Sequence, residues 1–396
     1  MFVGFYVILQ TMIDLMPKWR LLILFFIAFF VTWVIFAPIL KIAKSKSIVD
    51  NPGNRKLQKE PVPIMGGVVV FFGIAVGLMF FKTMFYQSAL LPVLAASIIM
   101  LYLGTIDDIL DVPPMKRLVI EIIVALLMIY GSRCRISHFQ GLWGIEWISQ
   151  GLGIPLTVLT IVGLINAINL IDGIDGLLPG LGIMILGFLG LLDFLAHDYS
   201  NAALAAVSIG ALATFWMHNV FGEKSKMFLG DGGSMLLGII ISWLIISMLS
   251  GRFHIDQYLD GRVDFNLVSF CLAVVGIPVA DTLRVMFARI FAGRSPFTAD
   301  NNHLHHLFLA CGYSHLITSL AIMGMAFVII IVFLLVWALG ASPDAQLYTV
   351  IGTILLFDGG GALLLKRLHR CGFRTAGCTK ERNRLWQKIS RFVDKW

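Results

Sequence analysis

The chain has 396 residues, of which 58% are hydrophobic and only 13% are charged. Soluble domains carry roughly 25% charged residues, and the apolar residues here would fill about eleven membrane spans of about 20 residues each. This composition excludes a disordered chain, a disulfide scaffold and an ordinary cytosolic enzyme. It predicts an all-α polytopic integral membrane protein, whose net charge of +7 belongs to loops facing an anionic leaflet and not to a nucleic-acid interface.

Eleven apolar runs bounded by charged or turn residues are predicted to be transmembrane helices. They cover residues 20–43, 64–81, 89–106, 117–131, 154–171, 177–196, 201–220, 233–250, 266–284, 316–339 and 346–365. The run 117–131 is short for a span. An odd number of spans places the two ends of the chain on opposite sides of the membrane, so the loop charges must decide the orientation.

Most basic residues fall on one side of this topology. If the C-terminus is cytoplasmic and the N-terminus is outside, 23 of the 30 lysines and arginines lie in cytoplasmic segments. The positive-inside rule selects this orientation. We therefore divide the chain into a transmembrane domain over residues 1–366 and a basic cytoplasmic tail over residues 367–396.

The tail carries its own pattern. Apolar residues recur at helical spacing among basic ones, which predicts an amphipathic helix lying on the inner leaflet. A disordered basic tail and a partner-binding helix are the alternatives. The apolar residues of this pattern are Leu385, Trp386, Ile389, Phe392, Val393 and Trp396.

The predicted topology also gathers acidic residues at the cytoplasmic ends of four spans. A carboxylate in a membrane span costs several kcal/mol unless it meets a partner or water, so its position is informative. Lone acids such as Glu121, Asp193 and Asp358 are as readily explained by structural ion pairs. The acids at the four span ends are Asp107, Asp108, Asp172, Asp175, Asp231 and Asp281.

Two of these acidic stretches are interleaved with glycine. Residues 166–176 combine Asn166 and Asn169 with two aspartates, and residues 228–234 place Asp231 in a glycine-flanked turn. Polar, glycine-rich backbone at membrane depth is tolerated only where it lines a cavity. Converging carboxylates would repel one another, and with only oxygen and amide ligands Mg²⁺ is the expected counter-ion, with Mn²⁺ as a substitute. The chemistry indicated is phosphoryl transfer at the membrane surface.

A polar loop before the tenth predicted span adds Arg294, His303, His305 and His306. Imidazoles and a guanidinium beside an acidic site favour contacts to a diphosphate or to sugar hydroxyls. A zinc site and a plain solvated loop are the alternatives. The sequence has neither a Walker loop nor a G-x-G-x-x-G fingerprint, so an ATP-driven pump and a dinucleotide enzyme lack support.

Four ordered motifs resemble the polyprenyl-phosphate N-acetylhexosamine-1-phosphate transferase family, glycosyltransferase family 4. They lie at residues 107–111, 166–176, 227–234 and 303–306, and residues 61–67 before the second span match as well. The His-x-His-His form and the eleven spans are similar to bacterial undecaprenyl-phosphate N-acetylglucosamine-1-phosphate transferases. The muramoyl-pentapeptide branch, with ten spans and a longer histidine run, is the alternative.

The resemblance implies Mg²⁺-dependent transfer of GlcNAc-1-phosphate from UDP-GlcNAc to undecaprenyl phosphate, with release of UMP. This reaction would initiate O-antigen, common-antigen or teichoic-acid synthesis at the bacterial cytoplasmic (inner) membrane. A one-step and a two-step route both remain open. The partners implied are UDP-GlcNAc, undecaprenyl phosphate and the lipid bilayer, with a homo-oligomer left open and no nucleic acid. A cation-coupled transporter is the rival class, but its sites usually lie at the membrane midplane between inverted repeats.

The resemblance also implies roles for individual residues. Asp231 would ligate Mg²⁺ with Asn169 nearby, and Asp107 and Asp108 would serve the lipid phosphate as a base or as support for the metal. Phe228 would stack on uracil, Asp175 would lie in the uridine pocket, and Lys116 would be the cation near the diphosphate. The full set of implied substrate-binding residues is Lys116, Asn166, Asp172, Asp175, Phe228, Arg294, His303, His305 and His306.

Overall fold

Long apolar helices dominate the computed structural model, which describes residues 19–50, 61–81, 90–253, 265–296, 300–371, 390, 393 and 394. Within these residues the helices are α1 (Arg20–Ser45), α2 (Gly66–Met79), α3 (Leu90–Leu110), α4 (Pro114–Ser132), α5 (Gln150–Ile171), α6 (Leu177–Leu195), α7 (Tyr199–Phe221), α8 (Gly230–Met248), α9 (Leu267–Phe291), α10 (Leu304–Ala310), α11 (His315–Ala338), α12 (Pro343–Ile354) and α13 (Gly361–Arg370). A π-helical turn, Leu355–Gly360, joins α12 to α13 without a break.

Two short antiparallel strand pairs depart from the all-α prediction. Strand β1 (Val49–Asp50) pairs with β2 (Val62–Pro63), with Val49 opposite Pro63. Strand β3 (His138–Leu142) pairs with β4 (Ile145–Trp147), with Leu142 opposite Ile145. Both pairs lie in connections between predicted spans, so they add local order to loops without changing the helical architecture.

In the described part of the chain, nine helical segments are long and apolar enough to cross a membrane. They are α1, α3, α5, α6, α7, α8, α9, α11 and the continuous stretch Pro343–Arg370, and each coincides with a predicted span. Helix α2 has 14 residues and would reach about 21 Å at 1.5 Å per residue, less than the roughly 30 Å hydrocarbon core. Helix α4 begins with a charged turn. The architecture is that of a polytopic membrane protein, while the count of eleven spans stays a prediction.

Helix starts are capped in two different ways. The first turns of α7 and α9 are closed by their own N-terminal side chains: Asp198 accepts from the Asn201 amide at 3.1 Å, and Asn266 accepts from the Ser269 amide at 2.8 Å. Such caps satisfy amides that have no partner inside the helix. Helix α6 instead begins after a glycine with positive φ, Gly176, helix α8 begins at another, Gly230, and neither has a side-chain cap of its own. Their first amides are therefore available to side chains from other helices.

Helix α8 occupies the centre of the bundle. It packs against α2, α3, α5 and α6, and nearly all of its side chains from Gly232 to Met248 are buried. A helix that is apolar on every side is stable only when it is surrounded. Packing on several sides therefore fixes the position of the first turn of α8, which contains Asp231.

The contact between α3 and α8 requires a glycine. A Cβ at Gly104 would overlap the Asp231 carbonyl and the Gly232 amide, so the two backbones approach more closely than any larger residue permits. By contrast, Gly163 on α5 has open space around its Cβ position. Small residues allow this kind of close approach between membrane helices.

We expect Gly104→Ala to destabilise the protein by about 1–3 kcal/mol, because the added methyl group overpacks the α3–α8 contact. Unfolding in mixed detergent micelles measures this loss. The matched change Gly163→Ala should leave stability unchanged or raise it slightly, since alanine is the better helix former. Equal effects of the two changes would contradict the close-packed contact.

Candidate functional site

Acidic residues from several helices line one cavity of 530 Å³. The cavity lies where α3 and α5 end and where α6 and α8 begin, and the loop between α7 and α8 closes one side. Residues from α10 and α11 complete it. The polar residues at its wall are Asp50, Asp107, Asp108, Asp111, Asp172, Asp175, Asn219, Lys226, Asp231, His306 and His315.

Asp108 caps helix α8 from a neighbouring helix. Its Oδ1 accepts from the Asp231 amide at 3.0 Å, and its Oδ2 accepts more weakly from the Gly232 amide at 3.4 Å. A carboxylate is favoured there because the unpaired amides give a helix N-terminus a partial positive charge. Gly230 permits the turn, since its φ of +74° is costly for residues with a side chain. Asp108 therefore fixes where the Asp231 side chain enters the cavity.

Arg117 is the cation at the centre of the acidic cluster. Its Nη1 donates to Asp107 at 2.7 Å and lies 3.4 Å from Asp231. Its Nη2 donates to the side-chain oxygen of Asn169 at 3.2 Å and to that of Asn166 at 3.4 Å. One guanidinium thus joins helices α3, α4, α5 and α8, as its planar array of donors allows.

A buried second layer orients Arg117 and the two asparagines. Glu121, one helical turn beyond Arg117, lies 3.5 Å from its Nε and accepts from Asn166 Nδ2 at 2.6 Å. Asn169 Nδ2 donates to Asp231 at 2.9 Å and to Ser234 at 2.8 Å. These contacts hold both amide groups with their oxygens toward Arg117.

Asp175 is held as a carboxylate by two partners. Lys226 Nζ donates to its Oδ2 at 2.6 Å, and the Nδ1 of His315 lies 2.9 Å from the same oxygen. Burial alone would raise the pKa of Asp175, but the His315 hydrogen bond and the Lys226 charge outweigh burial and lower this pKa. Lys226 also lies 5.7 Å from the centre of the Phe228 ring, which brings the aromatic residue of the loop to the same wall.

Asp172 has the opposite environment, although it is only three residues away. Burial and the negative charges of Asp231, Asp108 and Asp175 raise its pKa well above the ordinary value. Within the described part of the chain its carboxyl group has no hydrogen-bond partner. Two neighbouring acids with opposite shifts are typical of sites in which one is a fixed charge and the other contacts a ligand.

The three histidines that are close in sequence occupy different environments. His303 is buried and its Nδ1 lies 2.8 Å from Asp281 Oδ2, while the Leu304 amide donates to the other Asp281 oxygen at 2.8 Å. Arg284 bonds to Asp281 as well and donates to Asp358 at 2.9 Å. His303 therefore anchors the loop, and Asp358 in the π-helical turn forms part of a structural ion pair.

His305 is 2% exposed and packs where a Cβ on Gly173 would otherwise lie. Neither of its ring nitrogens has a hydrogen-bond partner among the described residues. Burial and the neighbouring charge of His306 lower the pKa of His305 to about 3. His306 alone of the three lines the cavity, and burial, together with the nearby His303, also lowers its pKa.

The structure brings most of the predicted site residues together, but His303 and His305 are buried and do not line the cavity. Lys116 and Arg294 are exposed, and neither lines the cavity. The position next to Lys116, Arg117, makes the contacts expected of the site cation. Sequence analysis also missed Glu121, Lys226 and His315 as site residues. A signal for Arg117 and Glu121 was available, because residues four apart share one helix face and a buried glutamate needs a cation.

The oxygen ligands of the acidic cavity wall are of the type that a hard divalent cation prefers. Asp231 presents a partly exposed carboxylate with Asn169 beside it, and oxygen ligands are what Mg²⁺ prefers. Among the described residues there is no group of three or more His, Cys, Asp or Glu side chains arranged to enclose a metal. Mg²⁺ usually keeps several waters and shares its shell with substrate phosphates, so a site of one or two carboxylates fits it.

Comparison with known proteins gives a consistent result. The model of the family described as glycosyl transferase family 4 matches residues 90–249. A protein of Pasteurella multocida (strain Pm70) is 34% identical over 296 residues, covering 74% of this chain and 78% of its own length. A protein of Haemophilus influenzae is 32% identical over 293 residues, 72% of this chain and 78% of its own length. A protein of Salmonella typhi is 30% identical over 277 residues, which cover 69% of this chain and 72% of its own length. All three are named undecaprenyl-phosphate alpha-N-acetylglucosaminyl 1-phosphate transferase.

We expect Arg117→Met to reduce the free energy of unfolding by about 3 kcal/mol, because removing one partner of a buried ion pair leaves carboxylates uncompensated. The matched change Lys116→Met removes the same charge from an exposed position and should cost less than about 0.5 kcal/mol. Titration with a denaturing detergent in mixed micelles compares the two. A larger loss from Lys116→Met would show that the cation was assigned to the wrong residue.

His305 should make the protein sensitive to mild acid. Its folded pKa of about 3 lies below the ordinary value near 6.5, so between these values the unfolded chain binds more protons than the folded one. Stability attributable to this site is therefore complete above pH 6.5 and falls, by up to about 1.4 kcal/mol per pH unit, as the pH drops toward 3. In His305→Gln this component should be absent, which unfolding measured from pH 7 to 4.5 would reveal as a shallower slope. Identical slopes would contradict a buried neutral imidazole.

Proposed function

Since this chain belongs to glycosyl transferase family 4 and is therefore an enzyme, we propose that it transfers GlcNAc-1-phosphate from UDP-GlcNAc to undecaprenyl phosphate. The products are undecaprenyl-diphosphate-GlcNAc and UMP. The family assigned from the sequence motifs is thereby confirmed. The named activity of the relatives supports the reaction proposed here, and we further propose that it is the initiating step of a cell-envelope polysaccharide.

One observation carries this proposal. Carboxylates from helices α3 and α8, from the segment between α5 and α6 and from strand β1 meet in a single cavity of an apolar helix bundle. A soluble nucleotide sugar and a lipid phosphate can meet only at such an interface, because one substrate dissolves in water and the other keeps its tail in the hydrocarbon. We propose that this end of the bundle faces the cytoplasm of a bacterial inner membrane, with eleven spans and the N-terminus outside, as the distribution of basic residues indicates.

In this proposal the reaction is an in-line displacement at the β-phosphorus of the UDP-sugar. A phosphate oxygen of the lipid forms the new P–O bond, and the bond to the α-phosphate oxygen breaks, so UMP carries away the electron pair. A phosphate monoester is already largely a dianion at pH 7, so the nucleophile needs no proton removed. This agrees with the two candidate bases being occupied, Asp107 by Arg117 and Asp108 by the start of α8.

The chain's own residues position the reactants. Arg117 restrains Asp107 and Asp231 and supplies positive charge beneath the diphosphate. We assign the uridine to the wall made by Phe228, Lys226 and Asp175, where an aromatic ring offers a stacking surface. His306 and Asp172, both on the cavity wall, are placed to contact sugar hydroxyls or phosphate oxygens.

We propose that Asp231, with Asn169 beside it, holds the Mg²⁺ that the family resemblance implies, and that Mn²⁺ can substitute. When bound, such an ion neutralises charge on the diphosphate. Asn169 keeps the Asp231 carboxylate oriented, since its amide donates to Oδ1 at 2.9 Å. Arg117, 3.4 Å from Oδ2, balances the same carboxylate from the other side.

The proposal is tested with purified protein, Mg²⁺, sugar-labelled UDP-GlcNAc and undecaprenyl phosphate. We expect labelled lipid and an equal amount of UMP, and Asp231→Asn should lower kcat by about 100-fold or more, as loss of a charge-stabilising group at a reacting centre does. Chelation of divalent ions should abolish turnover, and added Mg²⁺ should restore it.

The matched control is Glu146→Gln, which removes one acidic charge from the exposed strand β4 and should leave kcat unchanged. UDP-GalNAc and UDP-MurNAc-pentapeptide serve as competing donors. Transfer from UDP-MurNAc-pentapeptide in preference to UDP-GlcNAc would overturn the assigned donor. Absence of any labelled lipid would overturn the reaction itself.

A further inference from the structure

The connection between α7 and α8, residues 222–229, is held by hydrogen bonds along both of its halves. We refer to it as the α7–α8 loop. The Phe228 amide donates to Pro63 at 2.8 Å, and its carbonyl accepts from Gly66 at 3.0 Å. These bonds tie the second half of the loop to the start of α2. The loop carries Lys226 and Phe228 into the site, so anything that holds its first half also sets these two side chains.

The first half of the loop is held by the other end of the chain. Asp394 Oδ1 accepts from three successive amides, those of Glu223 at 3.1 Å, Lys224 at 3.1 Å and Ser225 at 3.0 Å. The Ser225 hydroxyl donates to the same oxygen at 2.8 Å. Successive amides that point toward one centre form a concave anion site in a loop. Here the anion is a side chain that lies 169 residues along the sequence from Ser225.

Two described tail residues near Asp394 are buried in the protein. Val393 is fully buried and Ser390 is 3% exposed, and the Asp394 amide donates to the Ser390 carbonyl at 2.8 Å, as in one helical turn. Partial burial would raise the pKa of Asp394, but the hydrogen bonds from Ser225, Glu223 and Lys224 outweigh burial and lower it. Asp394 is therefore a charged carboxylate bound by the loop amides of residues 223–225.

Contacts lead from this anion site to the cavity. Ser225 also lies 3.1 Å from the Nδ1 of His218, which is buried on α7. The next residue on α7 is Asn219, whose side-chain amide donates to the Met227 carbonyl at 2.9 Å and whose side-chain oxygen accepts from the Gly176 amide at 2.7 Å. Lys226 lies between the anchored residues Ser225 and Met227, and its side chain donates to Asp175. The tail, the loop and the acidic wall are thus one connected set of hydrogen bonds.

We propose that the C-terminal tail clamps the α7–α8 loop through Asp394 and so positions Lys226 and Phe228 for the nucleotide sugar. Asp394 is a positioning residue, because it acts through the loop and not on the reactants. This role differs from that of an amphipathic helix whose apolar side lies in lipid: Val393, one of the apolar residues of that pattern, is buried within the protein. The kinetic part of the proposal rests on the proposed function, whereas the structural part does not.

Hydrogen–deuterium exchange of the full chain in detergent micelles tests the clamp without any assay of turnover. In Asp394→Ala the amides of residues 223–225 should exchange about tenfold faster or more, because each loses a charged acceptor. Asp394→Asn keeps one neutral acceptor oxygen and should fall between the wild type and Asp394→Ala. The matched control Glu381→Gln removes one acidic charge from the same tail and should leave the peptide unchanged. Equal exchange in all four proteins would overturn the clamp and favour a tail that rests on the membrane.

Steady-state kinetics tests the positioning role. Asp394→Ala should raise KM for UDP-GlcNAc about tenfold, in keeping with the effect of slightly displaced binding groups, while KM for undecaprenyl phosphate stays unchanged. Asp394→Glu, which restores the charge, should recover part of the loss. Faster exchange together with an unchanged donor KM would overturn positioning and leave a purely structural contact. If the wild type itself makes no lipid product, the proposed function fails, and the exchange experiment still decides the clamp.

Discussion

Carboxylates placed at the ends of apolar helices have to be compensated where they lie, because a charge in surroundings of low dielectric is costly unless it is paired. Four of the acids at this site are compensated in three ways. Arg117 bridges Asp107 and Asp231, Lys226 and His315 share Asp175, and the amides at the start of α8 bind Asp108. These are long-range contacts between helices, so the electrostatic requirement also specifies which helices must be neighbours.

This requirement explains why the bundle is arranged around α8. The first turn of α8 is the point where the Asp108 cap, the Arg117 cation and the Asn169 amide all converge. Packing at Gly104 brings the α3 backbone close enough for Asp108 to reach that turn. Apolar burial therefore sets the depth of α8, while the polar contacts at its end set its rotation and register. A substitution that changed the depth of α8, or its rotation and register, would move the turn that contains Asp231 relative to the cavity.

Much of this arrangement could be predicted from the sequence, because hydrophobic runs and their boundaries are local signals. Every predicted span coincides with a helix, and the acids that end the third, fifth and seventh spans line one cavity. Periodicity within a short amphipathic run does not reveal which of two adjacent cations turns inward. The sequence pattern therefore indicates Lys116, whereas in the structure Arg117 makes the contacts. Similarly, His303, His305 and His306 are equivalent in sequence, yet one anchors a loop, one is buried and one faces the cavity. The tail pattern drew attention to its apolar residues, whereas the contact of Asp394 with a loop far away in sequence has no local signature.

The charge balance of the cavity bears on how an anionic substrate enters. Seven aspartates line the cavity wall, and the cations nearest to them, Arg117 and Lys226, are already paired. A nucleotide diphosphate brings further negative charge into a space of low dielectric, where uncompensated like charges repel strongly. His306 on the cavity wall does not offset this negative charge, because the pKa of His306 is lowered. An anionic substrate would therefore require additional positive charge at this site. This charge balance supports our proposal that Asp231, with Asn169 beside it, would hold a divalent cation, which would neutralise negative charge on the diphosphate.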